Sequence, residues 1–417
     1  MSPLWLLLDR VVTSGNLTFI DADGRARTYG DNTGPQVVVR LHDKPVEWRI
    51  ALDPGLAIAE AFMDARLNLE QGSVYEFLEL LIRNTQRTGP PGSARLLDRM
   101  RYATRWARQY NPVGRAARNA SHHYDIPPEI YDLFLDPDWQ YSCAYFPHEN
   151  VDLAEAQRAK KRHIAAKLRV SPGQDVLDIG SGWGGLGLSL AQLADARVTG
   201  ITLSNEQLRR ARERAKKMGL DSQVRFELRD YRKVEEKFDR IVSVGMFEHV
   251  GVNHYQEFFN QVYKLLKDDG VALLHSIGRS DTPGITNPFI EKYIFPGGYI
   301  PSLSEVIPAI ERAGLVVADI EILRLHYAHT LRAWRDAFMA RRDEAKRLMG
   351  ERFCRMWEFY LAGSELAFRY QGMMVFQIQL IKQVDALPLT RDYMVEDERR
   401  LEAIEAGGGQ RPRLAGT

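Results

Sequence analysis

Cysteine is almost absent: Cys143 and Cys354 are the only two in 417 residues. That excludes a disulfide framework and a cysteine-rich metal site. No apolar run approaches the ~18 residues needed to cross a bilayer. The run Leu4-Trp5-Leu6-Leu7-Leu8 stops at Asp9-Arg10, with no cationic leader before it and no small-residue cleavage site after it, so it is not expected to be a signal peptide. Charge of one sign is not in excess either. Lys+Arg total 56 against 55 Asp+Glu, a formal net charge of +1. This disfavours a polyelectrolyte built for nucleic acid while leaving room for a local basic patch. With 45% hydrophobic and 27% charged residues the chain can bury a core. Its length suits two or three domains. A soluble, cytoplasmic protein is expected.

Two regions differ in texture. Up to about residue 80, Leu17–Ile20 and Arg27–Tyr29 flank Asp21-Ala22-Asp23-Gly24 as a hairpin, Gln36–Leu41 reads as a strand, and Gly55–Arg83 has helical periodicity. This is a small α+β unit. Arginines 83, 87, 95, 99, 101, 105, 108, 115 and 118 then follow with Asp98 as the only acid, and Tyr102, Trp106 and Tyr110 share one helical stripe. Such a segment is either a solvated linker whose aromatics pack on the next domain or an interfacial segment drawn to anionic lipid. On the second reading, charge reversal at Arg101, Arg105 and Arg108 weakens vesicle binding.

From Gln174 a βα alternation begins. Asp175–Gly180, Arg197–Thr202, Val224–Leu228, Phe238–Val244 and Val271–Ile277 read as strands, and Ser204 with Gln207 forms a helix-starting capping pattern. The repetition implies a doubly wound parallel sheet. A Gly/Pro-containing insertion runs from Gly278 through Pro301. Helical periodicity returns over Thr330–Met349 and Glu351–Val384, and Gly407-Gly408-Gly409 opens a tail expected to be disordered.

Asp178-Ile179-Gly180-Ser181-Gly182-Trp183-Gly184-Gly185 is the strongest motif. Its glycines let the chain turn sharply between strand and helix, so that a ligand can lie against main-chain N–H groups. Gly180, Gly182 and Gly185 fit the dinucleotide spacing, a weak signal by itself. The next strand ends in Gly200-Ile201-Thr202-Leu203-Ser204, without the acid that would hold a ribose.

The Asp-x-Gly-x-Gly strand end resembles motif I of class I S-adenosylmethionine methyltransferases. Further segments narrow the resemblance to the cyclopropane fatty acid synthase family and its mycolic acid methyltransferase relatives. They are His123-Tyr124-Asp125, Tyr141–Phe146, Gly200–Gln207, Phe238–Gly251, Leu274–Gly278 and Lys292–Pro296. The similarity runs over roughly residues 120 to 385. It implies a Rossmann-like α/β catalytic domain over 121–405, preceded by a small α+β domain with the Arg-rich linker over 1–120 that takes part in lipid docking, and followed by a disordered tail over 406–417.

The resemblance also implies S-adenosylmethionine as cofactor. Tyr141 and Ser142 would lie near its methionine end, Asp178, Gly180 and Gly182 beneath it, Thr202, Leu203 and Gln207 on its ribose side, and Asp230 with Tyr231 on its adenine side. Ser181 stands where relatives often carry Cys. The implied reaction transfers a methylene to the cis double bond of a membrane phospholipid acyl chain. No side chain is an obvious base for it. The family implies a bound bicarbonate held by Cys143, Glu248, His275, Tyr327 and the backbone of Ile277, a set suited to an anion with one proton. Tyr145, Phe146, Phe247 and Tyr327 are candidates to face a carbocation.

Cys354, His249 and Asp125 read as structural, and Trp334, Phe338, Phe368 and Phe376 as core or as the wall of a lipid site. His122, His123 and His148 have no acid or Cys arrangement that completes a metal site. A homodimer, peripheral contact with the inner face of the membrane and no nucleic-acid partner are expected. Methylene branching, a nucleotide-dependent dehydrogenase and a non-catalytic lipid-binding protein are the rival readings.

Overall fold

The computed structural model describes residues 3–109 and 126–407. Tyr110, Arg115, Arg118, the segment from His122 to Asp125 and the tail beyond Gly407 lie outside them, as does the side chain of Arg108.

Strands β1 (Asn16–Ile20), β2 (Ala26–Tyr29), β3 (Gln36–Leu41) and β4 (Leu67–Gln71) form a sheet in the order β2-β1-β3-β4. The β1–β2 pair is the expected hairpin, and β3 runs parallel to β1. Val37, Val39 and Leu41 alternate inward along β3, as a half-buried strand requires. Helices Pro3–Val11 and Val74–Thr88 cover this face with Leu4, Leu8, Val11, Phe77 and Leu78. The apolar run near the N-terminus is thus one stripe of a short core helix. The helical reading of Gly55–Arg83 needs one correction. Helix Pro54–Met63 ends, Ala65 takes a positive φ of 57°, and Leu67–Gln71 pairs with the open edge of β3 before Ser73 caps the next helix with a capping box.

The second sheet contains β5 (Asp175–Ile179), β6 (Arg197–Thr202), β7 (Val224–Leu228), β8 (Phe238–Val244), β9 (Leu266–Arg279), β10 (Val316–Leu323) and β11 (Met373–Ile381). Their order is β10-β11-β9-β8-β5-β6-β7. Strands β5 to β9 are mutually parallel, and β11 lies antiparallel between β9 and β10. The sheet is the expected α/β class, but it is mixed rather than wholly parallel. Helical periodicity over Glu351–Val384 holds only as far as Tyr370. Gly372, at φ +69°, turns the chain, and Met373–Ile381 becomes a strand. Both faces of β11 are buried and the strand is mostly apolar, with polar alternation limited to Gln377 and Gln379, too short a pattern to set it apart from a core helix.

The strand order reverses between β5 and β8, and the carboxyl ends there open a crevice for ligands. The N-terminal unit packs on helix Arg342–Tyr370, whose Ala362 and Leu366 join its core. Arg335 stacks 4.7 Å from the Tyr75 ring, and Tyr370 donates to Glu79 at 2.6 Å. Among the described residues no helix is long and apolar enough to cross a membrane.

Helix Asp392–Ala406 is fastened to helix Leu153–Leu168 by charge. Arg162 pairs with Glu155, Glu402 and Glu405, while His163 lies between Glu398 and Glu321, with Lys167 also on Glu321. Burial opposes the imidazolium of His163, but the two carboxylates outweigh it and raise its pKa above 6.5. Burial opposes the Glu321 carboxylate in turn, but His163 and Lys167 hold it well below the usual carboxylate range. A raised histidine stabilises fully below its unfolded pKa and loses that contribution as pH rises through its folded pKa. We therefore expect His163→Gln to cost about 3 kcal/mol near pH 6, the scale of breaking a buried pair. The gap from wild type should narrow as pH rises above 6.5 and through the folded pKa, and thermal unfolding across pH checks this.

Candidate active site

The strand ends at the reversal build the first cavity. Gly180 turns the chain out of β5 at φ +83°, and a Cβ there would sit 2.8 Å from the Cβ of Met246. Only glycine allows that approach together with that φ. The cleft has a volume of about 180 Å³. Every residue that the resemblance assigns to the cofactor lines it: Tyr141, Ser142, Asp178, Gly180, Gly182, Thr202, Leu203, Gln207, Asp230 and Tyr231.

Sequence reasoning missed two cations here. Lys160, buried in the floor, donates to Gln140 Oε1 at 2.6 Å and to Ser142 Oγ at 2.9 Å. Arg232 grips Asp230 through Nε at 2.8 Å and Nη2 at 2.7 Å. Burial works against the Asp230 carboxylate, yet Arg232 holds its pKa below the ordinary value. Burial also pulls Lys160 down to about 8 and pushes Asp178 up to about 7, with Lys160 restraining the latter. Asp178 Oδ2 is buried and has no hydrogen-bond partner among the described residues. An amino acid end with its own ammonium and carboxylate suits this acid and cation, so S-adenosylmethionine fits the cleft.

The second cavity is larger, about 600 Å³, and mostly apolar. That is the size range of a site for a sizeable organic ligand. It runs between the catalytic sheet and the N-terminal unit, from His275 and Tyr327 to Leu4, Leu8, Phe77 and Leu81. Cys143, Glu248, His275, Ile277 and Tyr327 all line it. Tyr141, Ser142, Gly245 and His249 line both cavities, and so form the wall where they meet.

Within this set Glu248 Oε1 accepts the backbone N–H of Ile277 at 2.6 Å, while Oε2 is buried without a partner among the described residues. The Ile277 amide was expected to hold an anion directly; instead it holds Glu248. Burial pushes the Glu248 carboxyl up to about 7 despite that hydrogen bond. Burial also drives His275 well below 6.5 and raises the Cys143 thiol. Cys143 donates to the Ala144 carbonyl at 3.3 Å, and its burial disfavours the thiolate form. The orphaned oxygen of Glu248 accepts, and a neutral imidazole can donate. Bicarbonate, with one O–H and two acceptor oxygens, fits that pair.

Three of the four expected cation-facing rings are elsewhere. Phe247 is buried against Tyr255 and Phe258, and Tyr145 is stacked between His163 and His326. Phe146 packs by His326 and His329. Only Tyr327 lines the apolar cavity. Tyr141, expected beside the cofactor, also lines it, as does Tyr360, which was not foreseen; their hydroxyls are joined at 3.1 Å. Cys354 is buried away from both cavities, and no group of metal-ligating side chains occurs among the described residues.

The family model described as mycolic acid cyclopropane synthetase matches residues 113–378. A cyclopropane-fatty-acyl-phospholipid synthase of Escherichia coli strain K12 is 36% identical over 83% of this chain and 88% of its own length. A tuberculostearic acid methyltransferase of Mycobacterium tuberculosis is 34% identical over 90% of each chain. Among solved structures, a mycolic acid cyclopropane synthase complexed with SAH and CTAB is 34% identical with a TM-score of 0.61, covering 65% of this chain and 99% of that one. If Asp178 and Lys160 hold the amino acid end, Asp178→Asn and Lys160→Met should each weaken S-adenosylhomocysteine binding by about 10-fold or more, the scale of a lost charge-assisted hydrogen bond. Isothermal titration, with unfolding curves as the folding control, tests this.

Proposed function

The chain belongs to the mycolic acid cyclopropane synthetase family and is an S-adenosylmethionine-dependent methyltransferase. On that premise we propose that it adds a methylene across the cis double bond of an unsaturated phospholipid acyl chain, closing a cyclopropane ring. The observation that carries this reading is the shared wall: an apolar cavity of about 600 Å³ meets the cofactor cleft at Tyr141, Ser142, Gly245 and His249.

When bound, S-adenosylmethionine supplies an electrophilic methyl group and bicarbonate a proton acceptor. The wall brings the alkene to the cleft, and that proximity compensates for a poor nucleophile. The π electrons of the alkene would form the new C–C bond as the methyl's bond to sulfur breaks, its electron pair staying on sulfur, and a carbocation would be left on the chain. Rings of Tyr327 and Tyr141 stabilise it at ~0.5–2 kcal/mol each. Loss of a proton from the added methyl frees the electron pair that closes the ring. His275 and Tyr327 would hold the anion by donating to it, and Glu248 Oε2 would accept its O–H. Burial of the site keeps water from trapping the cation.

The second reading shares the first step and ends in a branched chain; the similarity to a tuberculostearic acid methyltransferase favours it. Mass spectrometry of membrane fatty acids from a host lacking its own synthase separates the two. A gain of one CH₂ with the double bond lost means a ring, whereas the same gain with an alkene retained means branching. No change sinks both. With purified protein, turnover should fall when carbonate species are purged and recover on adding bicarbonate. Glu248→Gln should lose about 100-fold in turnover, the scale for a proton-handling group, while still binding S-adenosylhomocysteine.

The lipid enters from a membrane on this reading, and helix Gly92–Ala103 suits that contact. Its inner side contributes Ala94, Asp98 and Arg101 to the apolar cavity, while Arg95, Leu96, Arg99 and Met100 face out, with Leu96 62% and Met100 60% exposed. Trp106 is 55% exposed just beyond it. Arg101 is bound to Asp53 and Asp98, and Arg105 lies 3.5 Å from Glu305. Reversing those two therefore breaks internal pairs rather than a lipid contact. The informative change is Arg95→Glu with Arg99→Glu. It should weaken binding to anionic vesicles, read by sedimentation, about 30-fold, about 1 kcal/mol for each of the two arginines, and leave S-adenosylhomocysteine affinity unchanged. Vesicle binding equal to wild type would remove this segment from the docking surface.

A further inference from the structure

Strand β11 carries a fully buried glutamine, Gln377, at its midpoint, between β9 and the edge strand β10. A buried amide in such a place is costly unless it is hydrogen-bonded. Its neighbour on the same face, Gln379, donates to the Lys167 carbonyl and to Tyr393 Oη, which ties strand to helices. Gln377 is used differently. It lies directly across from His275 in the antiparallel β9–β11 pair, and its Nε2 donates to His275 Nδ1 at 3.0 Å. Its Oε1 is buried with no partner among the described residues, and Gln377 lines neither cavity. The side chain is therefore spent on one ring nitrogen.

We infer that Gln377 is a positioning residue that selects the tautomer of His275, holding Nδ1 unprotonated so that Nε2–H is the donor offered to the apolar cavity. The inference rests on the reading of His275 as part of the reacting site. A neutral imidazole has one N–H, and the partner of one nitrogen decides which nitrogen carries it. The ring is neutral because it is buried and because three of the charged groups acting on it are Lys160, Lys167 and His163, with Glu321 opposing them. An amide N–H can only donate, so Nδ1 must accept and the proton resides on Nε2. The cavity then presents one donor at His275 and one free acceptor at Glu248 Oε2, a complementary pair for an oxyanion carrying one O–H. With the other tautomer, the nitrogen facing the cavity would be a lone pair, and it would repel such an anion.

The test is side-chain ¹⁵N NMR of the full-length protein, with the His275 resonances assigned by their loss in His275→Gln. Wild type should show a protonated Nε2 and an unprotonated Nδ1. Gln377→Glu places an acceptor against Nδ1. It should move the proton there or protonate both nitrogens, add an ionisation to the pH profile of turnover, and lower turnover about 10- to 100-fold, as when the partner that orients a catalytic or ligating histidine is changed. Gln377→Leu should leave both tautomers populated. S-adenosylhomocysteine affinity should match wild type in both variants, which separates misplacement of the ring from misfolding. A wild-type ring protonated at Nδ1, or ring signals identical in wild type and both variants, overturns the inference. Turnover of His275→Gln equal to wild type overturns instead the reading of His275 as part of the reacting site, whatever the tautomer.

Discussion

A charged, water-loving methyl donor and an apolar chain must react while each stays in the surroundings it requires. The wall formed by Tyr141, Ser142, Gly245 and His249 meets that constraint, with the polar cleft over the strand ends on one side and the apolar cavity on the other. Its position follows from the sheet. The order reversal between β5 and β8 opens the crevice, and Gly245, just past β8 at φ +65°, donates its N–H to the His275 carbonyl of β9 at 2.9 Å, which brings His275 alongside. Packing the N-terminal unit on helix Arg342–Tyr370 then roofs the apolar side.

Burial is what gives this wall its chemistry. Asp178 and Glu248 each keep one carboxylate oxygen without a partner, and both are pushed up to about 7. A fold selected only for stability does not hold two orphaned carboxylate oxygens a few residues from glycine turns. The same low-dielectric surroundings hold Lys160 at about 8 and make His275 neutral. The site is thus set to receive charge rather than to carry it. The cluster around His163 shows the contrast. There every charge is matched, and the outcome is adhesion of the C-terminal helix instead of reactivity.

Legibility from sequence followed the same physics. The glycine-rich turn and the five parallel strands could be read because tight turns and open strand ends demand particular residues at fixed spacing, whereas the residues assigned to the cofactor came from the family resemblance alone. Strand β11 could not be read, since it is mostly apolar, alternates only at Gln377 and Gln379, and follows a long helix with only Gln371 and Gly372 between them. Strand β4 was hidden by its five-residue length between two helices. Tyr145 and Phe247 were misplaced because aromatic character says nothing about which way a ring faces, and each is held by partners far along the chain. Lys160 and Gln377 carried no signal of their own. A lysine in an amphipathic helix and a glutamine in an apolar run acquire meaning only from what folds against them.

That last case bears on how the site came to be arranged. Motif residues meet their ligand through the loops at the strand ends, whereas His275 is oriented from behind, by the next strand of the sheet. The antiparallel insertion of β11 between β9 and β10 makes this possible, because it puts a side chain directly opposite His275 on the same face. A wholly parallel sheet ending at β9 would leave Nδ1 against solvent or a loop, and the proton would be free to take either nitrogen. The departure from a simple doubly wound pattern therefore has a chemical consequence: it supplies the rigid partner that a neutral histidine needs to act as a donor.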